Sequence, residues 1–347
     1  MTEARVGRGA WRAWLVTGAA LFALPALGDD EARRWLAGMT EALASRTYQG
    51  EFLHLANGHV EKLRILHRVK DGRIMERLVS LSGNGREVVR SDAEVQCYLP
   101  DERKVVVESR ADHGPLLGTL PTFDNNLEAN YRLEMGGRAR SVIGRAARIV
   151  AVTPRDGYRF GYRVWIDEET RMPVRTDLCD AQGAVLEQVL FTSLKVGGVL
   201  PDSALRPGVQ ADGYTWVHQA ASNRGNRADE LPWRLLQLPP GFRVSSSGEQ
   251  LLPGNDRPVT HLVLSDGLAS VSVFIEGPPA APRRQTEGQG RVGSAFAYST
   301  IVGGHQVTAV GEVPPQTVEY IASGVTPAAT VRAQSALAPA PAPLPRP

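Results

Sequence analysis

Cysteine is nearly absent: Cys97 and Cys179 are the two in 347 residues. Two are too few for a disulfide-stapled fold, and their separation excludes the spacing of a zinc site. Whether they pair or remain separate buried thiols is open at this level. A surplus of charge is also missing. The 39 Lys and Arg nearly cancel the 37 Asp and Glu, and no long run of one sign occurs, so no surface is expected to attract nucleic acid strongly. After Leu27 there is no apolar stretch approaching the eighteen or so residues of a membrane-spanning helix.

Catalytic constellations are missing as well. None of the seven histidines stands in an HExxH pair, and no GxSxG elbow presents a serine. Without a nucleophile or metal supported by a base and an orienting group, no enzyme, metal or cofactor is expected. His67 shares the apolar face of its segment and reads as a core histidine, and His305, after Gly303-Gly304, as a turn or strand residue. Gly288, Gly290 and Gly293 spell GxGxxG, but Pro278 to Arg284 before them is no strand, and Ala295-Phe296-Ala297-Tyr298 after them is strand-like. A dinucleotide needs the opposite order, a strand before the loop and a helix after it, so that site is rejected. Asp167, Glu168 and Glu169 read as a solvated hairpin tip rather than a metal cage.

What is present begins with an export-type N terminus. Arg5, Arg8 and Arg12 precede the apolar run Ala13 to Leu27, and Ala26-Leu27-Gly28 offers small residues for cleavage. Residues 1–28 are read as a signal peptide, against the alternative of an uncleaved anchor, and the mature chain as exported. Asp29 and Asp30 then precede a helix with Trp35, Leu36, Met39 and Leu43 on one face. From Tyr48 the period changes to two. In Leu63 to Val69 the odd positions are mostly apolar and the even ones mostly basic, and Asp71-Gly72 reads as a hairpin turn.

A strand is predicted from Tyr158 to Asp167, with Tyr158, Phe160, Tyr162, Val164 and Ile166 on one face and Arg159, Gly161, Arg163 and Trp165 on the other. Gly114 to Asn130 lacks either period and reads as a loop or lid with a short helix. Gly197 to Gly208, with Pro201 and Pro207, is the predicted linker. A second strand-rich block includes Tyr214 to His218, Val259 to Leu264, Leu268 to Ile275 and Ile301 to Val310, and ends in a short helix at Pro315 to Ala322. The Ala- and Pro-rich residues after Thr326 read as a disordered tail.

The expected class is therefore α+β: an antiparallel sheet with an apolar face covered by helix, plus a smaller sheet domain. Incomplete covering would leave a greasy cavity for acyl chains or apolar peptide, and complete covering a filled core. Periodicity does not separate the two.

The chain resembles the sigma-E factor regulatory protein family, RseB and MucB. The strings that carry the resemblance run in order: Trp35-Leu36 with Met39, Tyr48-Gln49-Gly50-Glu51-Phe52, Glu76-Arg77-Leu78, Arg86 to Arg90, Thr153-Pro154-Arg155-Asp156, Tyr162 to Asp167, Leu238-Pro239-Pro240-Gly241-Phe242, Ser265-Asp266-Gly267-Leu268 and Val310 to Thr317. The resemblance implies an N-terminal domain like the LolA and LolB lipoprotein carriers, a curved antiparallel half-barrel, at residues 29–196. It further implies a linker at 197–211, a C-terminal partner-binding domain at 212–325 and a tail at 326–347. It implies a periplasmic protein that grips an anti-sigma factor, shields it from proteolysis and releases it when lipopolysaccharide or another lipid binds. Tyr158, Phe160 and Tyr162 are the candidate lipid-binding residues, with core packing as the alternative. Arg283 and Arg284 are the candidate partner-binding residues, with a solvated loop as the alternative. A lipid or lipoprotein carrier without regulatory duty is the competing reading. The oligomeric state, including a homo-oligomer, is left open.

Overall fold

Ala32, Leu36, Met39, Ala42 and Leu43 recur at helical spacing, and all five are buried on the inner side of helix α1 (Leu27–Ser45). The computed structural model describes residues 27–83, 85–109, 127–219, 232–250, 257–278 and 286–328. Helix α1 lies on a sheet built from two meanders. The first comprises β1 (Tyr48–Ala56), β2 (His59–Lys70), β3 (Arg73–Ser80), β4 (Glu87–Arg90), β5 (Glu94–Leu99) and β6 (Lys104–Ser109). The second comprises β7 (Tyr131–Arg140), β8 (Ala146–Pro154), β9 (Gly161–Asp167), β10 (Pro173–Cys179) and β11 (Val185–Val196). Pairing of β1 with β11 joins them into one open, curved sheet.

Helix α2 (Asp202–Leu205) and β12 (Thr215–Gln219) follow, and β12 pairs parallel with β6 at the edge of that same sheet. Tyr214 to His218, expected in the second block, therefore contributes its strand to the first. The predicted linker is likewise fastened down: Leu200 and Leu205 are buried against Leu66 on the outer face of β2. Arg68 donates to the Leu200 carbonyl at 3.1 Å, and the Gly208 amide donates to Glu87 at 2.8 Å. Leu66, an apolar residue on the basic face of its strand, is the local sign of that back-packing.

The second module contains β13 (Trp233–Leu235), β14 (Arg243–Gln250), β15 (Val259–Ser265), β16 (Ser270–Glu276), β17 (Gly288–Val292), β18 (Ala295–Val302), β19 (His305–Gly311), α3 (Pro315–Ser323) and β20 (Val325–Pro327). Its antiparallel sheet runs β14-β15-β16-β19-β18-β17, and β13 pairs separately with β20. Helix α3 buries Val318, Ile321 and Ala322 in a core with Leu264, Val273 and Val307. Gly303 and Gly304, both at positive φ, break the predicted run Ile301 to Val310 into a hairpin. Thr326 and Pro327, assigned to the tail from sequence, pair with Arg234 and Trp233.

Asp71-Gly72 makes the expected hairpin, both residues at positive φ. Gly288 and Gly290 lie in β17 rather than at the mouth of a helix. His67 is 1% exposed, and the strand register sets Tyr48, His67, Glu76 and Arg90 side by side across β1 to β4. Its ring stacks on Tyr48, and it meets Glu76 at 2.8 Å, with Arg90 donating to the second Glu76 oxygen at 2.7 Å. This row of paired charges lies inside the first module, where unpaired ones would be costly. Asp167 corrects the hairpin-tip reading: it is buried, accepts from the Thr170 amide and hydroxyl, and pairs with Arg145 at 2.9 Å.

Candidate functional site: the seam between the modules

The segment before β9 directs side chains of the first module into the second. Asp156 accepts from the Tyr158 amide and from Arg159 Nε, both at 3.0 Å, which closes a bend. The predicted strand therefore starts at Gly161, leaving Tyr158 to Phe160 outside its alternation. From 162 onward the prediction holds: Val164 and Ile166 are core residues, and Trp165 faces outward beneath Arg175.

Arg159, read from sequence as an outward residue, is instead fully buried at the seam. Its Nη1 donates to Asp266 Oδ2 and its Nη2 to the Pro240 carbonyl, both at 2.5 Å. The guanidinium also lies over the rings of Tyr131 and Phe242, 5.5 and 5.1 Å from their centroids. Asp266, in the turn between β15 and β16, accepts from Tyr131 Oη at 2.9 Å and from the Leu268 and Ala269 amides at 2.9 and 2.7 Å. Both carboxylate oxygens are thereby satisfied, the condition for keeping such a pair away from water. Burial, with Asp266 beside it, pushes the Tyr131 phenol well above its ordinary range. Gly241 completes the contact at φ +82°, where an added Cβ would lie 2.2 Å from Asn130 Nδ2.

The three aromatic candidates divide along this seam. Tyr158 packs on Tyr320 of α3 with centroids 5.5 Å apart, and its carbonyl accepts from Thr317 Oγ1 at 2.8 Å. Phe160 packs on Phe296 of β18 at 6.2 Å. Tyr162 touches the first core and lines a small crevice with Thr176, Leu178, Glu187, Val189 and Glu312. Gln316 Nε2 adds a donor to the Gly157 carbonyl at 2.8 Å. Arg283 and Arg284 lie outside the described residues.

Sequence reasoning missed Arg159, Asp266, Glu187 and Glu312. The one local signal was composition: a charged residue inside an aromatic alternation, and an acid in a Ser-Asp-Gly turn.

Residues 31–209 match the MucB/RseB N-terminal domain and residues 227–326 the MucB/RseB C-terminal domain. The chain is 34% identical over 318 residues to the sigma factor AlgU regulatory protein MucB of Pseudomonas aeruginosa, covering 90% of this chain and 96% of that one. It is 29% identical over 312 residues to the sigma-E factor regulatory protein RseB of Escherichia coli K12, covering 90% and 95%. Its fold is similar to that in the P. aeruginosa MucA/MucB complex, with TM-score 0.67, 32% identity, and coverage of 86% of this chain and 99% of that one. These relatives are named as regulators and not as enzymes. Both modules and the order in which they occur are thus those of one regulatory family, and the chain belongs to it: the MucB/RseB family of sigma factor regulatory proteins.

Proposed function

We propose that this chain is a periplasmic negative regulator of the sigma-E envelope stress response. It binds the periplasmic segment of a membrane anti-sigma factor, shields it from proteolysis, and lets go when lipopolysaccharide or another lipid binds. The observation that carries this reading is the similarity, through both modules, to a relative solved with MucA bound. The export-type N terminus supports the compartment. In this reading the curved sheet under α1 is a half-barrel of the lipoprotein-carrier kind.

The lipid reaches the grip through the seam. Tyr158 and Phe160 pack on Tyr320 and Phe296, so an acyl chain that seats beside Tyr158, Phe160 and Tyr162 competes with the second module for the same rings. A ligand shifts an equilibrium only through contacts that differ between its states, and this competition supplies the difference. Aromatic pairs are worth about 0.5–1.5 kcal/mol each. Losing two of them covers the roughly 1.4 kcal/mol that a tenfold loss of affinity requires. Arg283 and Arg284 offer guanidinium groups to carboxylates of the bound peptide.

The test is fluorescence anisotropy with residues 29–347 and a labelled peptide from the periplasmic part of the anti-sigma factor. Binding is expected, with at least tenfold weakening by lipopolysaccharide. Absence of peptide binding overturns the regulator, and an affinity unchanged or raised by lipid overturns the switch.

A further inference from the structure

A second set of polar groups meets along the same seam, and its charges do not cancel. Glu187 on β11 is buried, and Glu312, between β19 and α3, faces it across the crevice beside Tyr162. The two carboxyls thus line one crevice from opposite sides of the module boundary, and Glu187 Oε2 is buried with no hydrogen-bond donor on it among the described residues. Ser294, in the turn between β17 and β18, donates to Glu312. His54 on β1 brings Nε2 to 2.9 Å from Glu187 Oε1. The titratable groups facing the pair are His54 from β1, with Glu61 of β2 behind it, Tyr162 from β9 and, past Tyr162, Asp266 from the β15–β16 turn.

Arg159 and Asp266 pair a cation with an anion. Glu187 and Glu312 are two acids, and adjacent carboxylates cannot both ionise without repulsion. We propose that Glu187 and Glu312 form a proton-operated latch between the modules, closed while a proton sits between the carboxyls and loosened when that proton leaves to solvent. The latch is a property of the chain by itself and does not depend on lipid or partner.

The direction follows from the environment. Burial and the neighbouring Glu187 push Glu312 from its ordinary 4.5 up to about 7. Burial also pushes Glu187 up, but the facing His54 outweighs it and leaves Glu187 below its ordinary value. Glu187 in turn holds His54 above its own. Closing the seam thus takes up a proton on Glu312: that contribution is complete below about 4.5 and lost as pH rises through about 7. His54 adds a loss of the same sign, and Glu187 opposes it only on the acid side of its ordinary range.

The test is hydrogen–deuterium exchange on residues 29–347 alone, corrected for intrinsic rate, at pH 5.5 and 7.5. Protection of peptides spanning 158–162 and 311–317 is expected to fall about tenfold at the higher pH, while peptides from β2 stay constant. Glu312→Gln fixes the neutral form and should hold the acid-side protection at both pH values. Glu187→Gln removes the repelling charge but leaves Glu312 buried, and should weaken the dependence, which decides the matter if the first variant does not fold. Equal protection of the wild-type seam at both pH values overturns the latch, as does retention of the wild-type dependence by the folded glutamine variants. No partner or lipid is present, so failure here is distinct from failure of the regulatory reading.

Discussion

Arg159 of the first module and Asp266 of the second meet at 2.5 Å with neither side chain exposed to solvent. A charge pair sealed in this way makes a small stabilising difference while intact and a large one when halved. The Coulomb attraction is offset by desolvation, whereas a lone buried charge has no offset.

Asp266→Ala is therefore expected to cost about 3–5 kcal/mol in urea denaturation followed by fluorescence. The double variant Arg159→Met, Asp266→Leu should cost clearly less than the two single changes added together. A single-variant midpoint equal to that of the wild type would show that the pair is not sealed.

Gly241 carries a second, steric dependence on the same seam. Gly241→Ala meets a left-handed backbone, which costs about 1–2 kcal/mol, and an overlap with Asn130 on top of it. Adding Asn130→Ala removes the overlap but not the backbone cost, so the melting temperature should recover in part. Full recovery, or none, would contradict the geometry.

His261 gives the second module an acid-side weakness. It stacks on Phe274 with centroids 4.5 Å apart, and burial lowers its pKa below the ordinary 6.5. The neutral ring is favoured in the fold, so stability is complete above 6.5 and declines as pH falls below it. His261→Gln should flatten that part of the stability profile between pH 7 and 5, read from urea midpoints at each pH. A variant that keeps the wild-type slope assigns it to other groups.

Cys97 on β5 and Cys179 on β10 are both free and are separated in the sheet by β4, β3, β2, β1 and β11. Six strand spacings of about 4.8 Å put them roughly 29 Å apart along the curved sheet, against the 7 Å or so that a disulfide permits. Dithiothreitol should leave the melting temperature unchanged, and iodoacetamide under denaturing, non-reducing conditions should label two thiols per chain. Labelling of none would reveal a bridge.

The features legible in sequence were those written in adjacent residues. The apolar stripe of α1, the alternation of Val164 and Ile166 and the Asp71-Gly72 turn depend on local geometry, and each occurs where expected. Leu66 and Tyr214 to Gln219 were harder. Leu66 was read with the basic face because its apolar partners, Leu200 and Leu205, are over a hundred residues away. The β12 strand has a strand's pattern, but a pattern carries no address, and its parallel place beside β6 is set by how the preceding segment crosses the sheet.

The sequence by itself determined the two modules, the family and which side of most elements is greasy, because apolar periodicity is a property of neighbours along the chain. Tertiary structure alone decided that Tyr158 and Phe160 face the second module, that Arg159 is its buried tether, and that Glu187 and Glu312 meet. A charged side chain is stable inside a protein only where distant groups complete its hydrogen bonds, and no local pattern states where those groups will be.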